Sequence, residues 1–203
     1  MKKTIGILTG GGDCPGLNAV IRAVVRCGLQ YGFKTKGIRN GWQGLIDNDV
    51  EPLTDFSVSG IISRGGTMLG TSRTDPLKNP ADFEKIQNTM KRFKIDALVV
   101  VGGNGTLAAA HDLATRGIPL VGVPKTIDND IPETDMTIGF DTAVSIVTEA
   151  IDRLHTTAES HHRIMVVQVM GRQVGWIALK AGIAGGADEI PPKMPVRRAD
   201  ETR

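Results

Sequence analysis

The chain has little of what would tie it to an extracellular or membrane setting. Of 203 residues only two are cysteine, Cys14 and Cys27. Two thiols that form no CxxC pair cannot staple a domain of this size, so nothing demands an oxidising compartment. Phe, Trp and Tyr together make up 4%, too few to supply the stacking platforms of a single-strand nucleic-acid binder. Neither charge sign dominates: 24 basic against 22 acidic side chains leave a formal net charge of +2. No dense basic run is present, which argues against nucleic acid as a partner. No apolar run reaches spanning length, which argues against a membrane. The stretch after Met1 breaks at Gly10, short of a signal peptide. The expectation is a soluble, cytoplasmic globular protein.

Glycine is abundant instead, at 25 of 203 residues, well above the usual ~7%. It is clustered, at Gly10–Gly12, Gly65–Gly66, Gly102–Gly103 and Gly185–Gly186. These are places where a side chain would stand in the way. Apolar patterning between the clusters alternates strand and helix. Strands are expected at 4–9, 35–39, 96–101, 118–123 and 164–170. Helices are expected at 17–31, 82–93, 106–116 and 174–184, with a long amphipathic helix from Gly139, where Phe140, Val144, Val147, Ile151 and Leu154 share a face. This order predicts an α/β fold, a three-layer Rossmann-like domain on a mostly parallel sheet, followed by the start of a second α/β domain. The boundary is placed near residue 139. The proline-rich, charged end from Ile190 reads as an interruption, so the chain is expected to be the first part of a longer one.

Parallel α/β sheets bind ligands beyond the carboxyl ends of their strands. Three strand-end loops here are chemically loaded. Gly10-Gly11-Gly12-Asp13 offers bare N–H groups ahead of a helix, suited to phosphate, or else a tight turn for strand–helix packing. It closes with no Gly-Lys-Ser/Thr and is no GxGxxG fingerprint. In Gly102-Gly103-Asn104-Gly105-Thr106, Thr106 is placed to cap a helix, and Asn104 either meets a phosphate or a metal-bound water or holds its own turn. In the loop 124–137, Asp128 and Asp130 stand two apart, so both carboxylates can face one substrate, and Lys125 adds a mobile positive charge; the alternative is a hydrophilic surface loop. Arg64, Arg73, Arg163 and Arg172 lie at loops or strand ends, where guanidinium forks suit phosphates. The four histidines show no metal-binding spacing.

As a set, these motifs resemble the 6-phosphofructokinase family. The residues that carry the likeness are Gly6–Asn18, Arg64–Arg73, Gly102–Thr106, Pro124–Asp130, Gly139–Ala143 and Met170–Arg172, in order and across nearly the whole chain. The resemblance implies transfer of the terminal phosphoryl group of ATP, with Mg²⁺, to the 1-hydroxyl of fructose 6-phosphate. It implies a phosphoryl-donor domain over 1–138 and the beginning of a sugar-phosphate domain over 139–203. By the same resemblance Gly12, Arg73, Gly103, Asn104, Gly105 and Thr106 form the nucleotide site, and Asp128 is the base that deprotonates the sugar hydroxyl. Asp130 is the second carboxylate, Thr126 contacts the transferred phosphoryl group, and Lys125 belongs to the same catalytic loop. Met170, Gly171 and Arg172 resemble sugar-phosphate contacts. Arg163 resembles an arginine that reaches a neighbouring subunit's sugar site, which implies a homo-oligomer, tetramer or dimer.

The sequence departs from the family pattern at informative places. Asn104 stands where the family carries its metal-binding carboxylate. Lys125 resembles the diphosphate-using branch, whereas Gly105 resembles the ATP users, so ATP is favoured and diphosphate is the alternative. A catalytically inactive binding module is a third reading, supported by Asn104. Arg22 and Arg26 match the family's effector site, but Asp55 and His155 occupy positions where it has arginines.

Overall fold

In the computed structural model, residues 3–191 are described. The proline-rich end noted above lies outside them from residue 192 on. Among the described residues no helix is long and apolar enough to cross a membrane.

The centre is a six-stranded sheet of order β3-β2-β1-β4-β5-β6. Strand β1 (Thr4–Thr9) lies between β2 (Lys34–Ile38) and β4 (Ala97–Gly102), parallel to both. β5 (Leu120–Thr126) extends the sheet parallel to β4, and the short β6 (Ile138–Gly139) pairs parallel with the end of β5. β3 (Val50–Leu53) closes the other edge antiparallel to β2. β1 and β4 are apolar without alternation because both of their faces are covered. Leu8, Leu98 and Val100 join one core cluster with Trp42, Ile86 and Leu113. These last three come from α2 (Trp42–Asp47), α3 (Pro80–Phe93) and α4 (Asn104–Thr115). Helix α1 (Leu17–Gln30) packs on β1 and β2, burying Leu17, Ile21 and Val25 at one-turn spacing.

The chain divides into two compact units. One runs up to Thr126 and includes Asp130–Gly139; the other comprises Ile127–Asn129 and the chain from Phe140 onward. In the second unit, α5 (Phe140–His161) packs on α6 (Trp176–Ala184), with Ile151 against Gly185 and the His155 ring 2.6 Å from the Gly185 carbonyl oxygen.

Several elements differ from their sequence-based boundaries. α4 begins at Asn104, two residues early, so Asn104 and Gly105 are helical rather than loop. β5 runs on through Pro124, Lys125 and Thr126, which the sequence assigns to a loop. Pro124 fits because the strand there has only Gly102 of β4 opposite it before β6 takes over. The pair α2 and β3 is absent from the sequence reading; six and four residues are too few for a periodicity to show. Residues 164–170 form no strand, although their composition suits one. A strand needs a neighbour for its N–H and C=O groups, none pairs here among the described residues, and Ile164 is 94% exposed.

Candidate active site

The strand order reverses direction between β1 and β4, and at such a switch point a crevice opens beyond the carboxyl ends of the strands. Gly10–Gly12 leave β1 there and Gly103–Gly105 leave β4. Close approach of the two strand ends is set by Thr106, which is buried between them. A Cβ on Gly10 would lie 2.7 Å from the Thr106 methyl group, and one on Gly102 2.4 Å from the Thr106 Cβ. The Gly10 amide donates to the Val101 carbonyl at 2.9 Å. Gly11 has φ +83, a backbone that side chains resist. Gly12 is exposed, with open space where a Cβ would be.

A second segment is folded onto this glycine loop. Thr71 donates its hydroxyl to the Gly11 carbonyl at 2.6 Å, and the Gly11 amide donates to the Ser72 carbonyl at 2.9 Å. Thr9 donates to the Gly70 carbonyl at 2.8 Å. Asn18, buried in the first turn of α1, donates to the Arg64 carbonyl at 2.9 Å and accepts from the Met68 amide at 2.8 Å. The polar stretch carrying Arg64 and Arg73 is thereby anchored beside the glycine loop, with both arginine side chains exposed. Thr9, Asn18 and Thr71 are the positions sequence reasoning missed. An Asn between Leu17 and Ile21, on the apolar face of a helix, is the one available signal.

Helix α4 starts with Gly103 as its N-cap, and no side chain caps it. This corrects the expectation for Thr106, whose side chain is taken up between the strands. The first amides of a twelve-residue helix thus face outward without a capping acceptor, and with the positive end of the helix dipole they suit an anion. Asn104 and Gly105 are exposed there.

At the end of β5, Lys125 is 4% exposed. Its ammonium donates to the Gly12 carbonyl oxygen in the loop after β1. Burial lowers its pKa below the ordinary 10.5, against the raising influence of Cys14 and Asp13. Lys125 is therefore no mobile loop cation: it is buried near the end of β5, and the loop carbonyl holds it. Cys14 is buried beside it, and burial raises the thiol pKa from 9.0 to about 11, only partly offset by Lys125. Thr137 donates to the Thr126 carbonyl at 2.6 Å, and Asn104 Nδ2 donates to the Asp130 carbonyl at 3.4 Å, tying the loop after β5 to the start of α4.

Of the residues singled out in the sequence, Gly12, Arg73, Gly103, Asn104, Gly105, Thr106, Lys125, Thr126 and Asp130 all belong to the first unit. Asp128 groups with the second, as do Arg163, Met170, Gly171 and Arg172. Arg163 follows α5 and is exposed, Met170 is 74% exposed, and Gly171 and Arg172 adopt φ +148 and +50. Among the described residues no three His, Cys, Asp or Glu side chains gather as a metal cluster. Two arginines of α1 have partners in their own unit. Arg26 pairs with Asp55 at 2.7 Å, and Arg22 donates to the Val58 carbonyl at 2.6 Å.

A mostly parallel α/β sheet whose switch point carries a bare glycine loop and an uncapped helix N-terminus is an arrangement suited to a phosphate group. A family model described as Phosphofructokinase matches residues 4–194, and the chain belongs to that family. It is 58% identical over 198 residues to a protein named pyrophosphate–fructose 6-phosphate 1-phosphotransferase from Streptomyces coelicolor, covering 97% of this chain. It is 56% identical over 194 residues to a protein named ATP-dependent 6-phosphofructokinase from Mycobacterium leprae, covering 94%. The chain spans 57% of the length of each of these curated relatives. Among solved structures, phosphofructokinase from Pichia pastoris in the T-state superposes with a TM-score of 0.86 at 38% identity, over 93% of this chain and 22% of that one.

Proposed function

We propose that the chain serves a 6-phosphofructokinase that moves the terminal phosphoryl group of ATP to the 1-hydroxyl of fructose 6-phosphate, giving fructose 1,6-bisphosphate in the cytoplasm. The observation that carries this reading is the meeting of the β1 glycine loop, the uncapped start of α4 and the end of β5 along one edge of three adjacent parallel strands. Residues 1–138 would hold the donor and 139–203 would begin the sugar-phosphate domain.

In this reading the amides of Gly12, Gly103 and Gly105 and the start of α4 bind the donor phosphates, with Arg73 neutralising charge and Thr106 fixing the spacing of the strand ends. Asp128 accepts the proton of the sugar hydroxyl. Asp130 orients the reacting groups, and Thr126 contacts the phosphoryl group in flight. Loose phosphoryl-transfer transition states call mainly for positioning and charge stabilisation, which these groups supply. Lys125 acts by holding Gly12. Arg163, Met170, Gly171 and Arg172 bind the sugar phosphate, Arg163 across a subunit boundary in a homo-oligomer. Magnesium suits a site with few protein ligands when it is held largely by donor phosphates, with Asn104 supplying a neutral oxygen. When bound, it neutralises charge on those phosphates.

ATP is favoured because Gly105 is bare and exposed, with nothing within 4 Å of where a Cβ would be, leaving space for a nucleotide's inner phosphate. Diphosphate is the second reading, supported by Lys125 and by the name of the Streptomyces coelicolor relative. Turnover of fructose 6-phosphate with ATP and with diphosphate separates the two: a strong preference for diphosphate overturns the choice made here. Binding of both ligands with no turnover of either, persisting in Asn104→Asp, would instead support an inactive binding module.

A further inference from the structure

The chain as a whole is close to neutral and poor in aromatic residues, which argues against a nucleic-acid partner. The fold spreads neither feature evenly. Strands β2, β1, β4 and β5 are neighbours and parallel, so their amino ends lie together, at the end of the sheet opposite the candidate active site. Helices α1, α3 and α4 end there, and the chain re-enters the sheet from each of them. These returns carry Lys34, then Lys91, Arg92 and Lys94, then Arg116. Lys3 precedes β1, with its carbonyl accepting from the Lys34 amide at 2.9 Å. All six side chains are exposed, and all belong to one compact unit.

Little negative charge opposes them. Asp96 accepts from the Thr4 amide at 2.6 Å, Asp55 pairs with Arg26 at 2.7 Å, and Asp112 stands in the last turn of α4. Among the described residues none of the six cations forms an ion pair. Two of them rest on rings instead. The Arg92 guanidinium lies 5.6 Å from the centre of Phe93, where the Lys36 ammonium joins it at 4.9 Å, and that of Arg116 lies 5.4 Å from the centre of Phe83. A ring positions a cation without cancelling its charge. Helix dipoles account for cations at the ends of α3 and α4. They do not account for Lys3 and Lys34, which end no helix, nor for the aromatic pair beside Lys34. Tyr31 is 77% exposed, and its ring centre lies 6.4 Å from that of Phe33.

We propose that this end of the sheet binds single-stranded nucleic acid, with Tyr31 stacking on a base and the surrounding lysines and arginines meeting phosphates. An exposed ring among unpaired cations is the arrangement that holds a single strand, because every base has a face to stack and every linkage a charge. The cations are spread over four strands about 4.8 Å apart, a row suited to a polymer rather than to one phosphate. An anionic bilayer would meet the same charges, but α1, which ends here, spends its apolar face on the sheet and has none to lay in a membrane.

The test is fluorescence anisotropy of a labelled short oligouridylate with the full chain, over a series of salt concentrations. Binding is expected to weaken with salt, with a log–log slope of about −2 to −3.5, as for three to five phosphate contacts on a single strand. Tyr31→Ala is expected to weaken binding on the order of tenfold with the slope unchanged. Lys34→Glu combined with Lys94→Glu is expected to weaken it on the order of tenfold or more and to make the slope shallower by about 1.4. Circular dichroism confirms that both variants, altered at exposed positions, are folded. Full affinity in the double variant would place the strand elsewhere and overturn the proposal. Full affinity in Tyr31→Ala, with equal competition by inorganic polyphosphate, would show a charged surface that reads no base, and overturns it too. Binding to phosphatidylserine vesicles with none to the oligonucleotide, or no binding at low salt, does the same. Fructose 6-phosphate enters none of these readouts, so this proposal and the kinase reading stand or fall separately.

Discussion

Lys125, at the end of β5, donates its ammonium to the carbonyl of Gly12, in the loop that leaves β1. A buried cation on one strand thus fixes the height of a glycine loop on another, two strands away in the sheet. Removing it leaves a carbonyl without that donor. Lys125→Met is expected to destabilise the protein by about 1.5–3 kcal/mol, the worth of a hydrogen bond from a charged donor, measured by urea denaturation. The pH dependence has a definite sign. Burial lowers the folded-state pKa below 10.5, so between the folded value and 10.5 the unfolded chain binds more protons. The stability of the wild type relative to Lys125→Met should therefore rise with pH through that window. A difference that falls with pH would place the ammonium in an environment favouring its charge.

The two thiols should separate cleanly. Cys14 is buried, with its pKa raised to about 11, whereas Cys27 is exposed. Only the thiolate reacts. A thiol reagent at neutral pH is expected to label Cys27 alone in the native protein and both cysteines after denaturation. Cys14 also contributes stability that falls as pH climbs from 9.0 to about 11, because the folded chain keeps a proton that the unfolded chain releases. Cys14→Ala should flatten that decline.

Thr106 sets the distance between the ends of β1 and β4. Gly10→Ala drives a methyl group to 2.7 Å from the Thr106 methyl carbon and 2.8 Å from its hydroxyl oxygen. A loss of about 1–3 kcal/mol is expected, as for other overpacked sites. In Thr106→Ala the nearest of these atoms are gone and the remaining Cβ lies at 3.3 Å, so Gly10→Ala should cost less there. A double-mutant cycle measures the coupling, expected to be on the order of 1 kcal/mol. Strict additivity would show that the two residues do not meet.

The parts of the fold legible in the sequence are those with a strong local pattern. Leu17, Ile21 and Val25 mark the buried face of α1, and the unbroken apolar run of β4 marks a strand covered on both sides. What was not legible depended on distant partners. Gly103, Asn104 and Gly105 are poor helix formers, yet α4 begins among them because β4 ends there and Thr106 must enter the gap beside Gly10. Pro124 reads as a loop residue, and only pairing with β4 and β6 reveals Pro124–Thr126 as strand. Residues 164–170 have strand composition but no pairing partner among those described. At the candidate site the glycine loop, Asn104 and the Thr126–Asp130 stretch were all visible as motifs. The burial of Lys125 was not, since it depends on a glycine loop that leaves a different strand.

The most direct measurement is phosphoryl transfer by the intact protein and by Asp128→Asn, followed by ³¹P NMR with ATP and fructose 6-phosphate. If Asp128 accepts the sugar hydroxyl's proton, kcat should fall by about 10²–10⁴-fold with the KM for ATP little changed. Turnover of Asp128→Asn within a few-fold of the wild type would contradict the assignment of Asp128 as the base.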